Sequence, residues 1–189
     1  MSNRSIARLC VFCGSSRGVR PEYADAARAL GRTLAEDGIS LVYGGGGTGM
    51  MGALADAVLE AGGEAIGVIP HDLDTRELAH RSLTTLHRVN SMHERKAMMA
   101  ERSDGFVSLP GGTGTFDETF EILTWAQLGL HNKPVGVLNV SGYFNPLIRL
   151  LDHAVAEQFL KPEHRRLLIV ESNHEPLLKQ MRERAASLA

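Results

Sequence analysis

Short apolar runs alternate with amphipathic stretches along this chain. Ala7 to Cys13, Ile39 to Tyr43, Ala65 to Ile69, Phe106 to Leu109 and Val135 to Val140 are apolar nearly throughout, with Leu167 to Val170 as a shorter sixth run. Uninterrupted apolar runs of this length are the pattern of strands buried on both faces. The segments between them have the helical period. Pro21 to Asp37 carries Ala24, Ala27, Leu30 and Leu34 at helical spacing and stops at Gly38. Met51 to Ala61 is closed by Gly62-Gly63, and later helices are expected from Ser91 to about Arg102, to about Leu130, from Phe144 to Phe159 and from Glu175 to Ser187. Strands and helices in strict alternation predict an α/β fold: a doubly wound, mainly parallel sheet with right-handed crossovers and helices on both faces. No repeat or linker interrupts residues 1–189, so a single domain is expected.

Pro70 to Asn90 breaks the rhythm with a stretch rich in charge and histidine, read as a long loop. Loops of that length in compact domains tend to carry function or contacts. Glu77 lies in it, and on pattern alone it is a solvated acid. Ser91-Met-His-Glu94 then has capping-box spacing. Met92, Arg95 and Met99 fall on one helical face, with Lys96 rotated by about one hundred degrees from it. A guanidinium on an apolar face suits an anion or an ion-pair partner, although a plain surface Arg-Lys fits the pattern too.

Two glycine-rich turns follow strands. Gly44 to Gly52 holds six glycines in nine positions, which reads as a backbone cradle for a phosphate or sugar. It has no Gly-Lys-Ser/Thr, and Gly45-x-Gly47-x-x-Met50 lacks the last glycine of a dinucleotide fingerprint, which argues against a dehydrogenase. Pro110-Gly111-Gly112-Thr113-Gly114-Thr115 opens a helix after a strand. There, free N–H groups of the first turn and threonine hydroxyls make an anion site, with Glu118 one turn further on. Thr115-x-x-Glu118 also fits a capping box, and the two roles are compatible. Gly14-Ser15-Ser16 after the first strand is either an ordinary turn or a place for a ligand to approach.

A net charge of −2 argues against a nucleic-acid binder that works by bulk electrostatics. Cys10 and Cys13 lie within a strand rather than at a helix start, so their spacing reads as buried thiols in a reducing compartment. Neither a signal peptide nor a long apolar span is evident, which points to the cytoplasm and to no membrane partner.

Ser91-Met-His-Glu-Arg95-Lys96 followed by Pro110-Gly-Gly-x-Gly-Thr-x-x-Glu118 resembles the Lonely Guy family of cytokinin riboside 5′-monophosphate phosphoribohydrolases, long mislabelled as lysine decarboxylases. Val11 to Ser16, Tyr43 to Gly52, Thr124 to Gly129 and Lys133-Pro-Val135 extend the likeness over most of the chain. Asp117 stands where relatives often carry Glu. The resemblance implies a Rossmann-like fold, a homodimer with sites near its interface, and no metal or cofactor. It implies cleavage of the N-glycosidic bond of AMP and N6-prenylated AMP. Arg95 and Glu118 match the family's catalytic pair; Glu77, Lys96, Gly112, Thr113, Gly114, Thr115, Glu118 and Thr124 match its substrate-binding positions.

Two rivals remain at this level. A pyridoxal-dependent decarboxylase needs a cofactor lysine, and of Lys96, Lys133, Lys161 and Lys179 the first already has a better role. A non-catalytic nucleotide or cofactor carrier or sensor on the same fold would also bind a nucleotide, so only turnover separates it from the enzyme.

Overall fold

The computed structural model describes residues 6–74 and 78–187. Seven parallel strands form one sheet in the order β4-β3-β2-β1-β5-β6-β7. They are β1 (Arg8–Phe12), β2 (Ser40–Tyr43), β3 (Ala65–Pro70), β4 (Thr85–Val89), β5 (Gly105–Ser108), β6 (Val135–Leu138) and β7 (Leu168–Glu171). The helices are α1 (Pro21–Glu36), α2 (Gly49–Glu60), α3 (Met92–Glu101), α4 (Thr113–Gln127), α5 (Asn145–Ala156), the short α6 (Pro162–Arg165) and α7 (His174–Ser187). The doubly wound parallel sheet expected from the sequence is present, with all of its strand pairs parallel.

Alternate strand residues feed two cores. Leu9, Val11, Leu41, Tyr43 and Val107 pack with the apolar stripes of α1, α2 and α7, including Leu30, Leu34, Leu54 and Met181. Cys10, Phe12, Val42 and Phe106 pack on the other face with Met99 of α3, Ile122 of α4 and Phe144. Fully buried leucines such as Leu30 and Leu54 each stabilise the fold by about 2 kcal/mol. The thiols of Cys10 and Cys13 are buried and unbridged. Among the described residues no helix is long and apolar enough to cross a membrane.

The stretch from Pro70 to Asn90, read as a loop, contains a seventh strand. β4 pairs with β3 from Ile66↔Thr85 to Pro70↔Val89. It is an edge strand with a mixed Thr-Leu-His-Arg-Val sequence and only Val89 buried, so it lacks the apolar run that marks the central strands. Glu77 lies outside the described residues.

The strand order reverses beside β1: the chain runs outward through β2, β3 and β4, then returns to β5 on β1's other edge. Open α/β sheets bind ligands in the crevice at such a switch point, beyond the carboxyl ends of the strands. Here that crevice lies between Gly14 and Pro110, joined by a Gly14 N–H donating to the Pro110 carbonyl at 3.1 Å.

Candidate active site

A cavity of about 230 Å³ opens at this switch point. Its wall includes Cys13, Gly14 and Ser15 after β1, Gly44 after β2, Met51 of α2, Arg95 and Met99 of α3, and Gly112 to Thr115 with Glu118 around the start of α4. Each glycine turn therefore reaches the site, but unequally. Gly44 alone of the six glycines from Gly44 to Gly52 stands on the described wall. The other five are accounted for within the chain, as at Gly49, where a Cβ would come within 2.1 Å of the Ser15 carbonyl oxygen. The cradle expected of that loop is instead mainly a close-packed wedge. Around Gly112 and Gly114, apart from their own chain neighbours and helix backbone, no described residue lies within 4 Å of where a Cβ would stand.

α3 begins as its sequence predicts. Ser91 caps it, accepting from the Glu94 N–H at 3.1 Å. Glu94 reaches back to the Asn90 N–H at 2.7 Å, one residue before the cap. The capping box read at Thr115-x-x-Glu118 is not what forms. α4 starts at Thr113 with Gly112 as its cap, so Thr115 already lies in the first turn. Thr115 is buried, its carbonyl accepting from the Thr119 hydroxyl at 2.5 Å. The Ser108 and Thr119 hydroxyls, 2.6 Å apart, tie α4 to β5. Tyr143 donates its hydroxyl proton to the Gly111 carbonyl and packs edge-on against Tyr23 at 5.6 Å. These contacts fix the turn that presents the N–H groups of α4.

Arg95 and Glu118 meet in the cavity. Arg95 Nη1 donates to Glu118 Oε1 at 3.0 Å, with the two side chains only 11% and 10% exposed. Arg95 Nε donates to the Val68 carbonyl at the end of β3, 3.1 Å away. Burial pushes the Glu118 carboxyl above its ordinary value and the Asp117 charge adds to this, while the Arg95 guanidinium and Lys96 oppose it. The pair thus holds a nearly buried carboxylate, hydrogen-bonded to Arg95 on one oxygen, beside a helix N-terminus. Such an arrangement can bind an anion at one end and handle a proton or a positive charge at the other.

Lys96 does not share this pocket. Its ammonium bridges Asp117 at 3.0 Å and Glu121 at 3.1 Å, clamping α3 to α4. Burial alone would push Lys96 down, but its bonds to the two acids outweigh that and raise it. Thr124 is exposed on α4 and lines a separate groove with Phe120, Leu151 and Leu160. Gly112, Thr113, Gly114, Thr115, Arg95 and Glu118 are together; Lys96 and Thr124 are not with them, and Glu77 is outside the described residues. The Val68 carbonyl and Tyr143 were not singled out from sequence, and Gly44 and Met51 only as members of the Gly44 to Gly52 turn.

A doubly wound α/β protein with a buried Arg–Glu pair beside a glycine turn at a helix N-terminus has the layout of a nucleotide site. Comparison with known proteins gives the family. Residues 51–181 match the family model described as "possible lysine decarboxylase". The chain is 48% identical over 176 residues to the cytokinin riboside 5′-monophosphate phosphoribohydrolase LOG7 of Arabidopsis thaliana, covering 93% of this chain and 81% of that one. It is 46% identical over 185 residues to LOG3 of the same plant, covering 98% and 86%. The chain belongs to the Lonely Guy family. The molybdenum cofactor carrier protein of Chlamydomonas reinhardtii shares the fold at a TM-score of 0.72 and 22% identity, over 96% of this chain and 99% of that one.

Proposed function

We propose that this chain hydrolyses the N-glycosidic bond of AMP and of N6-substituted (cytokinin) riboside 5′-monophosphates, giving free base and ribose 5-phosphate. The observation that carries this reading is the buried Arg95–Glu118 pair, 3.0 Å apart, at the mouth of the α4 glycine turn. The nearly half-identical curated phosphoribohydrolases support it.

The 5′-phosphate binds the N–H groups of Gly112 to Thr115, where the partial positive charge of α4 and the open space at Gly112 and Gly114 favour it. As the bond from C1′ to the purine nitrogen breaks, its electrons leave with the base and positive charge builds on the ribose, as in O-glycoside hydrolysis. Glu118 meets that charge and takes a proton from the water that adds to C1′; the departing base gains a proton. Burial raises the Glu118 carboxyl above its ordinary value, which makes its ionised form a stronger base towards that water. Arg95 opposes that rise through its charge and its hydrogen bond, and has further N–H groups to offer a ribose hydroxyl.

Incubation with AMP and with N6-isopentenyl-AMP, followed by chromatography of the free base, tests the assignment. Glu118→Gln is expected to lower turnover at least about a hundredfold while AMP binding is retained. The acid limb of wild-type kcat should lie above the ordinary carboxylate range, activity falling as Glu118 gains its proton. Normal turnover by the Gln variant would overturn the reading. Nucleotide binding without base release by the wild type would return the carrier reading, for which the 22% identity of the molybdenum cofactor carrier speaks only as fold.

A homodimer through the α4–α5 face belongs to this reading. α5 packs Leu147, Ile148 and Leu151 against the core but has no fully buried residue, and Leu150 on it and Phe159 just after it are 59% and 90% exposed. Thr124 stands on that face beside Phe120. Light scattering is expected to give twice the chain mass, and a monomer in wild type would rule the dimer out. Buried free thiols support a reducing, cytoplasmic setting.

A further inference from the structure

The geometry points to Gly44 as a positioning residue: its missing side chain leaves the space in which the Arg95 guanidinium reaches Glu118. The inference rests on the proposed hydrolysis by that pair.

Gly44 follows β2 directly, is buried, and stands on the cavity wall. Its φ is not positive, so the backbone there is open to any residue. What forbids a side chain is the arginine. A Cβ at Gly44 would lie 1.9 Å from Arg95 Nη2, 3.1 Å from Arg95 Cζ and 3.3 Å from Met51 Sδ. All three nearest atoms belong to side chains, two of them to the flexible end of Arg95, and none to backbone. An added methyl is therefore relieved by moving the guanidinium rather than the sheet. The guanidinium has no slack to move without loss. Nε is bonded to the Val68 carbonyl at 3.1 Å and Nη1 to Glu118 Oε1 at 3.0 Å, so withdrawal from Gly44 breaks one or both bonds.

The glycine thus acts on the reaction through Arg95 and not by touching substrate. It holds the guanidinium across the end of β2, between the ends of β3 and α4, where its charge bears on the Glu118 carboxyl. Displacing it removes one of the groups that hold that carboxyl down, so the proton of Glu118 is lost only at higher pH.

Kinetics of AMP hydrolysis by Gly44→Ala, Arg95→Ala and the double variant, with melting temperatures and a crystal structure of Gly44→Ala, test this. Gly44→Ala is expected to lower kcat by about ten- to a hundredfold with little change in KM, and to move the acid limb of kcat to higher pH. In the Arg95→Ala background it should cost nothing further, because residues that act through one group are non-additive. Additive losses, or an acid limb left in place, would overturn the proposal. Should Gly44→Ala fail to fold, Arg95→Ala is expected to restore folding by vacating the space, and no rescue would overturn it as well. The structure reads the claim without activity: Arg95 Nη1 off Glu118 supports it, and an undisturbed pair refutes it. Absence of AMP turnover in wild type is a separate outcome that removes the hydrolase reading alone.

Discussion

The chain's two glycine turns look alike in sequence and differ in what occupies the space that their missing side chains leave. At the turn after β2 the space is filled by the protein itself. A Cβ at Gly49 would strike the Ser15 carbonyl oxygen at 2.1 Å, and one at Gly52 the Gly47 carbonyl oxygen at 2.5 Å. At the turn before α4 only Gly111 is crowded, its Cβ position 2.1 Å from Thr115 Oγ1, while Gly112 and Gly114 have no described residue beyond their own neighbours and helix within 4 Å. One turn is a wedge that locks α2 beneath the β1 loop; the other presents bare backbone to the cavity. Glycine density alone does not distinguish them.

The comparison can be broken from either side. The largest effect is expected at Gly49, whose φ of +65° adds backbone strain to the clash. Gly49→Ala should lose roughly 3 kcal/mol or more of stability in urea denaturation. Wild-type stability there would mean that the turn yields and is no wedge. A smaller and opposite effect is expected at Gly112. Gly112→Ala should melt within about 2 °C of wild type, since its methyl meets no described residue beyond its chain neighbours. It should raise the KM for AMP roughly tenfold with kcat nearly unchanged, the signature of lost uniform binding. Unaltered KM would show that the phosphate does not lie against Gly112.

The central strands were legible because each is a continuous apolar run, and the helices because their buried faces keep a period. β4 was not, since an edge strand with His87 and Arg88 in it has no such run. Arg95 and Glu118 were legible as members of two motifs, and the structure adds that they touch. What holds Arg95 was hidden for a physical reason. The Val68 acceptor is a backbone carbonyl, which every residue possesses, and Gly44 acts by an absent side chain. Thr115 was misread as a cap because the helix starts two residues earlier, on the amide of a glycine turn. Lys96 sits beside Arg95 in sequence, yet its partners Asp117 and Glu121 stand on the outer side of α4. Only the helix crossing decides between such neighbours.

The return of the chain from β4 to β5 also sets when the enzyme comes into being. Asp104, just before β5, accepts from the Arg8 N–H at 2.8 Å, across 96 positions of sequence. A contact of that span is formed slowly, because a long loop must close before any stabilisation is gained. On the ribosome, β1 to β4 can assemble with Arg95 already in hand, but Glu118 follows β5 and is absent until β5 has been made to join the other edge of β1. A chain that has not yet added β5 and α4 therefore lacks the Arg95–Glu118 pair, and β6 and β7 extend the sheet only after both residues have been made.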